Sequence, residues 1–273
     1  EGVLRELGLI WEWVGESETG SLSDLSFDPT RSLWDLICCE RGNCLNQRCP
    51  HFRHCFLFRA RRQLDQAQII VANHALFFSD LAMRQESEDG ATGILPAYGA
   101  VVMDEAHTIE DCAADHLGLR VGSYALRRLL RRLYQQDRDR GVLALGPWAE
   151  ARDAVTKASA AVTLFFQRIT EWLEPQAQDP LRYTVPGHIP NYVATHLQRV
   201  IAETRKVAVE LIADPDTEGT GREIAGVADQ IEAQEQGIEV FLSMAREDFV
   251  YWFERHGRER QDVVHGAHQI DGS

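Results

Sequence analysis

Five of the six cysteines in this 273-residue chain fall within eighteen positions: Cys38, Cys39, Cys44, Cys49 and Cys55, with Cys112 apart. No other feature limits the fold so strongly. Thiols crowded into so short a stretch must be accounted for locally, by disulfides, a metal ion or an iron–sulfur cluster. A disulfide scaffold suits a small domain that cannot build a core. Here 44% of the residues are hydrophobic and 26% are charged, the balance of a globular protein with a core of its own. The crowding therefore points to a metal or cluster site in a reducing compartment. The spacing Cys39-x4-Cys44-x4-Cys49-x5-Cys55 lacks the tight pairs that structural zinc prefers. Longer loops suit the bulk of an Fe–S cluster. Zinc with help from His51 or His54, and unligated thiols, are the alternatives. Cys112, alone in a helical stretch, reads as a small buried hydrophobe.

The net charge is −14, which argues against a whole-surface attraction for nucleic acid. The charge is uneven, however. Residues 31–65 hold Arg31, Arg41, Arg48, Arg53, Arg59, Arg61 and Arg62 against Asp35, Glu40 and Asp65. Only two lysines occur, Lys157 and Lys206, and neither follows a glycine. A phosphate-cradling P-loop needs Gly-Lys-Ser/Thr, so the chain holds no such motif and is expected not to hydrolyse ATP by itself. It reads as a piece of something longer. No apolar run reaches the roughly 20 residues needed to cross a bilayer, and the acidic start EGVLRELGLIWEW has no basic signal region. The expectation is a cytoplasmic protein.

Along the chain, residues 1–30 give a short helix and a polar connection. AQIIVA at 67–72 and GAVVM at 99–103 are apolar runs that predict strands, with a helix between them at 74–83. Strand, helix, strand is a βαβ unit with two parallel strands. From 123 to 245 the pattern changes. Trp148, Ala151, Val155, Ala158, Val162, Phe165, Ile169 and Trp172 alternate steps of three and four. Val193, Leu197, Val200, Val207 and Leu211 form a second seam that skips Thr204; Ile224, Val227, Ile231, Ile238 and Phe241 form a third that skips Gln234. These seams predict a helical bundle. DFVYWF at 248–253 returns to a strand pattern.

The second run leads into Asp104-Glu105-Ala106-His107, and Thr108 with Asp111 matches a capping box that opens a helix. Carboxylates at the C-terminal end of a parallel strand sit where α/β sheets gather ligands. ATP hydrolysis needs Mg²⁺ near the phosphates and an aligned water. Asp104 would hold the ion, Glu105 would polarise the water, and His107 could couple the site to a neighbouring domain. The plainer alternative is a helix start with acids in its first turn. A third group interleaves Arg48, Arg53, Arg59, Arg61 and Arg62 with Phe52, Phe56 and Phe58. Arginines contact phosphates and aromatics stack on unpaired bases; a solvated helix face over core phenylalanines gives the same pattern. Arg127, Arg128, Arg131 and Arg132 could likewise line a groove or be solvated.

Cys44-Leu45-Asn46-Gln47-Arg48-Cys49-Pro50-His51-Phe52-Arg53-His54-Cys55-Phe56, Ala60-Arg61-Arg62, Val71-Ala72-Asn73-His74-Ala75-Leu76 and Val102-Met103-Asp104-Glu105-Ala106-His107 together resemble the bacterial DinG/YoaA branch of the XPD-like superfamily 2 helicases. The resemblance is carried by residues 38–112. It implies an α/β fold: a partial parallel-sheet motor domain with a helical Fe–S insertion and a mostly helical Arch bundle. The implied divisions are 1–66 (Fe–S region), 67–120 (motor domain with the DEAH motif), 121–246 (Arch) and 247–273 (return strands). It implies ATP-dependent 5′→3′ DNA unwinding in repair or replication, with Mg²⁺ and ATP used by the whole protein. It carries motif II roles onto Asp104, Glu105 and His107, and [4Fe–4S] ligation onto Cys44, Cys49 and Cys55. Cys39 or Cys38 would stand in for the fourth cysteine, which lies upstream in that branch. The implied partners are single-stranded and forked or branched DNA, bound by a monomer away from membranes. The rival reading is a non-catalytic DNA- or protein-binding platform with a metal or Fe–S knuckle.

Overall fold

The computed structural model describes residues 2–30, 33–34, 37–38, 44, 47, 49–86, 93–175, 181–247, 249–256 and 262–269. The chain divides into two compact units, Glu1–Val71 and Ala72–Ser273.

In the first unit, helix α1 (Gly2–Glu16) is followed by a polar connection and, further on, by helix α2 (Phe56–Leu64). The helices meet through Trp13 and Phe56, whose ring centroids lie 6.2 Å apart. Glu6 accepts hydrogen bonds from the backbone N–H and hydroxyl of Thr30, at 3.0 and 2.9 Å, which ties the connection back onto α1.

The second unit opens with α3 (His74–Glu86) and α4 (Ile109–Leu117), which pack on each other. Asn73 caps α3: its side-chain oxygen accepts the N–H of Leu76 at 2.8 Å, satisfying one of the orphan donors of the first turn. Strand β1 (Leu119–Gly122) leads into α5 (Ser123–Leu133). Three long helices follow: α6 (Ala149–Leu173), α7 (Ala194–Ile212) and α8 (Glu218–Ser243). The short strand β2 (Leu181–Arg182) lies between α6 and α7, and the hairpin strands β3 (Phe249–His256) and β4 (Asp262–Gln269) come after α8. The four strands form one antiparallel sheet in the order β1-β4-β3-β2.

The three seams of the sequence are the bundle core. Ala151, Val155, Ala158, Val162, Phe165 and Ile169 of α6 are buried, as are Val193, Leu197, Val200 and Val207 along α7 and Ile224, Val227, Ile231, Ile238 and Phe241 of α8. Burying each large aliphatic or aromatic side chain contributes about 1.5–3 kcal/mol, so the seams hold the unit together. Thr204, the skipped position, is fully buried, and its hydroxyl donates to the Val200 carbonyl one turn back, at 2.6 Å. Where α7 hands over to α8, a side chain at Gly221 would meet the Ile212 backbone nitrogen at 2.8 Å, so only glycine fits the approach. Outside the core, Asn191, Gln198 and Arg205 recur every seven residues and bond to Glu239, Glu235 and the Glu232–Asp229 pair of antiparallel α8.

The sheet is joined to the bundle by aromatics. Tyr183 stacks on Phe241 at 5.3 Å, and Phe253 meets Phe241 edge-on at 5.0 Å. The Tyr183 hydroxyl donates to the Leu242 carbonyl at the end of α8. Residues 249–253 of that run thus become part of β3, packed against the bundle end.

One expectation is not met among the described residues. The runs 67–72 and 99–103 belong to no strand, with bends at residues 68, 69 and 99, and the sheet that is described is antiparallel. Ile69, Val71 and Val102 are 85%, 95% and 96% exposed. The physical reason is that a strand is defined by its neighbour: backbone N–H and C=O groups join a ladder only when a second strand lies beside them. Apolar, β-branched composition gives a run the tendency without the partner. Among the described residues no helix is long and apolar enough to cross a membrane.

Candidate functional site

The segment Asp104–Thr108 is a tight polar turn at the end of the run 99–103. Glu105 has a left-handed backbone, φ 49° and ψ 45°, a conformation that a non-glycine residue adopts only when its surroundings hold it there. Three bonds hold it. The Glu105 N–H donates to an Asp104 carboxylate oxygen at 3.0 Å. The Glu105 carbonyl accepts from the N–H and the hydroxyl of Thr108, at 2.9 and 3.0 Å. The hydroxyl of Thr108 also lies 3.0 Å from Nδ1 of His74, at the start of α3. Thr108 therefore ties the Glu105 turn to α3.

The result is an acidic pair facing solvent. Asp104, Glu105 and His107 are all exposed. Nδ1 of His107 lies 3.5 Å from a Glu105 carboxylate oxygen. The turn brings all three motif residues together, with their carboxylates and imidazole open to a ligand from outside.

A feature that the sequence reading missed positions this turn. Asp80 of α3 is fully buried. Its carboxylate accepts the N–H groups of Ile94 and Leu95, at 2.6 and 2.7 Å, and Nε of Arg84, at 2.7 Å. Arg84 in turn donates to the Leu95 carbonyl at 2.6 Å and lies over the Tyr98 ring. A side chain on Gly93 would fall 2.3 Å from the Asp80 carboxylate, so glycine is required there. Burial alone would raise the Asp80 carboxyl, but the bonds from Arg84, Leu95 and Ile94 outweigh it and hold the group below its ordinary value. This clasp fastens to α3 the segment that leads into Asp104. Its one sequence signal is the i, i+4 spacing of Asp80 and Arg84, which also describes any solvated helix pair.

The cysteine segment lies in the first unit. Cys38, Cys44, Cys49 and Cys55 are half-buried. Cys44, Cys49 and Cys55 all have non-helical backbone, and Cys55 ends a 3₁₀ turn (Phe52–His54) and begins α2. Soft thiolates on irregular backbone are a donor set that suits iron–sulfur chemistry. Among the described residues, however, no three His, Cys, Asp or Glu side chains are gathered closely enough to hold a metal ion. Cys39 and Arg48 lie outside the described residues. Cys112 is half-buried on α4.

The aromatics among the arginines pack on one another: Phe52 meets Phe58 at 4.5 Å, and Phe56 meets Trp13. Arg59 lies over Phe56 and donates to the Glu18 carbonyl, and Arg61 lies over Phe58. Arg53 and Arg62 are exposed. In the second unit, Arg132 is tied to Glu223 of α8 at 3.0 Å, and Nε of Arg127 is buried, which leaves Arg131 as the exposed member of that row.

Residues 42–126 match the family model described as DEAD_2. ATP-dependent DNA helicase YoaA of Escherichia coli (strain K12) is 28% identical over 130 residues, 47% of this chain and 20% of that protein. ATP-dependent DNA helicase DinG of Salmonella typhimurium is 36% identical over 95 residues, and DinG of Escherichia coli (strain K12) is 33% identical over 95. Each of these covers 35% of this chain and 12% of the relative. The chain thus spans a fifth or less of the curated relatives it matches. The DEAD_2 match takes in Cys44 to Arg62, Asn73-His74 and the Asp104–His107 turn, and over part of its length the chain is similar to the YoaA and DinG helicases.

Proposed function

We propose that this chain is part of an ATP-dependent DNA helicase that moves 5′→3′ and contributes the acidic half of the ATP site. The observation that carries the reading is the Asp104–Glu105 pair. Both carboxylates are open to solvent, on a left-handed turn that Thr108 and Asp104 hold in place. The left-handed backbone of Glu105 costs free energy that the bonds from Asp104 and Thr108 offset, and it sets both carboxylates on one short turn.

In this reading Asp104 faces the nucleotide's Mg²⁺, whose charge screens the phosphates when it is bound. Glu105 accepts a hydrogen bond from the attacking water and orients it. His107, close to the Glu105 carboxylate, passes the state of the turn to an adjoining domain. The exposed apolar runs at 67–72 and 99–103 become parallel strands of a fuller motor sheet, which would cover Ile69, Val71 and Val102. The four helices α5–α8 form the Arch. Cys44, Cys49 and Cys55, with Cys39 or Cys38, ligate a [4Fe–4S] cluster that braces the arginine segment, where Arg48, Arg53, Arg59, Arg61 and Arg62 face the phosphates of single-stranded or forked DNA.

The test is Glu105→Gln in the full-length protein. The amide keeps the shape of the side chain and loses the charge that polarises water. ATP turnover should fall at least a hundredfold, with nucleotide binding within a few-fold of the parent. Turnover that survives the substitution would remove Glu105 from the reaction and leave the platform reading in its place.

A further inference from the structure

A groove of about 600 Å³ runs along the outer face of the bundle, between α6 and the start of α7. Its floor is aliphatic: Ala160, Ala161 and Leu164 on one face of α6, with Phe165 beneath. Leu164 is 49% exposed, although it sits amid the best-packed helices of the chain. Its rim is basic. Lys157 stands at one end, Arg168 at the other, and Tyr192 and His196 form the opposite wall. Among the described residues no carboxylate lines it, and Asp153, one turn back along α6, bonds Lys157 at 2.7 Å. Such a lining is unusual in a chain with 42 acidic and 28 basic residues, only two of them lysine.

We infer that this groove is a docking site for an acidic peptide segment that carries a bulky aliphatic side chain. Charge complementarity selects the segment's sign, since the described rim offers the Arg168 guanidinium and the His196 imidazole, with the Lys157 ammonium shared with Asp153, and no carboxylate. The short alanines and Leu164 select its anchor, because they leave room for one branched aliphatic side chain against Phe165. Lys157 and Arg168 are eleven residues apart on one helix, about 16 Å, which is roughly five residues of extended chain.

A single DNA strand is also anionic, but the groove suits it less. Strand-binding sites offer free aromatic faces on which bases stack. Here the guanidinium of Arg168 already lies over the Tyr192 ring, 5.0 Å from its centroid, which leaves His196 as the one other ring of the described wall above a floor of Ala160, Ala161 and Leu164. An arginine held flat on a ring keeps its edge donors for a carboxylate fork.

The test is fluorescence anisotropy on the whole 273-residue chain. The probe is a fluorescein-labelled peptide with a central leucine flanked by two aspartates on each side. Its controls are the same peptide with asparagine for aspartate and with alanine for leucine. Each control should bind at least tenfold more weakly than the probe. Arg168→Glu and Leu164→Asp should each cost at least tenfold, with Arg168→Gln intermediate and helical circular dichroism unchanged in all three. Two results would overturn the inference: probe affinity indifferent to Arg168→Glu and Leu164→Asp, or labelled oligothymidylate that binds more tightly than the peptide and loses affinity through the same substitutions.

Discussion

Replacing Asp80 with alanine should loosen the segment that leads into Asp104, and the size of the effect follows from the clasp. Three donors lose their acceptor. The Leu95 N–H is buried and gives its bond to Asp80, so losing that acceptor costs about 1–3 kcal/mol. The Ile94 N–H is half-buried and costs less. Arg84 keeps its bond to the Leu95 carbonyl, and 19% of its side chain reaches water. Its loss is therefore well below the 3–5 kcal/mol of a fully buried orphan charge. Together these give about 3 kcal/mol. Asparagine separates the terms. Its amide oxygen still accepts from Ile94 and Leu95, and only the contact with Arg84 is spoiled, so about 1–2 kcal/mol is expected.

Urea unfolding gives the global cost, and hydrogen exchange at the Ile94 and Leu95 amides gives the local one. In alanine these amides should exchange about a hundredfold faster, and in asparagine severalfold at most. The pH dependence has a fixed sign. Because the folded carboxyl is held below its ordinary value of 3.8, the unfolded state binds more protons in that window and stability rises with pH. The advantage of aspartate over asparagine should be full above about pH 5. It should shrink as pH falls through 3.8 toward the lower folded value. Equal costs for alanine and asparagine, or unchanged amide exchange in both, would refute the clasp as the source of the order.

Two further outcomes test other parts of the chain. Thr204→Val should stabilise by about 0.5–1 kcal/mol, because Val200 keeps its helical bond and the core loses a polar group; a fall in melting temperature would mean the hydroxyl matters to the seam. Anaerobically prepared full-length protein should be brown, and Cys49→Ser should bleach it and make residues 49–65 more sensitive to protease; colourless parent protein with stoichiometric zinc would replace the cluster with a zinc site.

What the sequence disclosed and what it hid divide along one physical line. The seam from Ala151 to Ile169 could be read in advance because helical periodicity is local: each residue's face is set by its own position in the turn. The same holds for α3, which begins at His74 and runs three residues beyond the expected end at Met83. Strands obey a different rule. β2 is two residues long and β1 is Leu-Arg-Val-Gly, and both exist because β3 and β4 lie beside them. AQIIVA has a far stronger strand composition than either, yet it belongs to no strand among the described residues. The site divides in the same way. Asp104, Glu105 and His107 are contiguous and so were visible. The Asp80 clasp closes over fourteen and fifteen residues, between a helix and a loop, and spacing along one helix gives no hint of it. The groove is hidden for the same reason, since Arg168 and Tyr192 meet only when α6 and α7 are packed.

Thr108 joins the acidic turn to the start of α3. A threonine hydroxyl has one proton. It goes to the Glu105 carbonyl when His74 carries its proton on Nδ1, and is open to His74 when it does not. In either case Thr108 links the start of α3 to the Glu105 turn. The same helix that starts at His74 holds the Ile94–Leu95 backbone through Asp80, and its Ser79 lies 3.2 Å from His116 of α4. α3 therefore grips both ends of the segment from Ile94 to Thr108, one by a buried carboxylate and the other by a histidine. The pairing of Asn73-His74 with Asp104–His107 in one motif set then has a mechanical reason. Asn73 starts the helix, His74 sets the acidic turn at its head, and Asp80 fixes, less than two turns along, where the run that carries the turn begins.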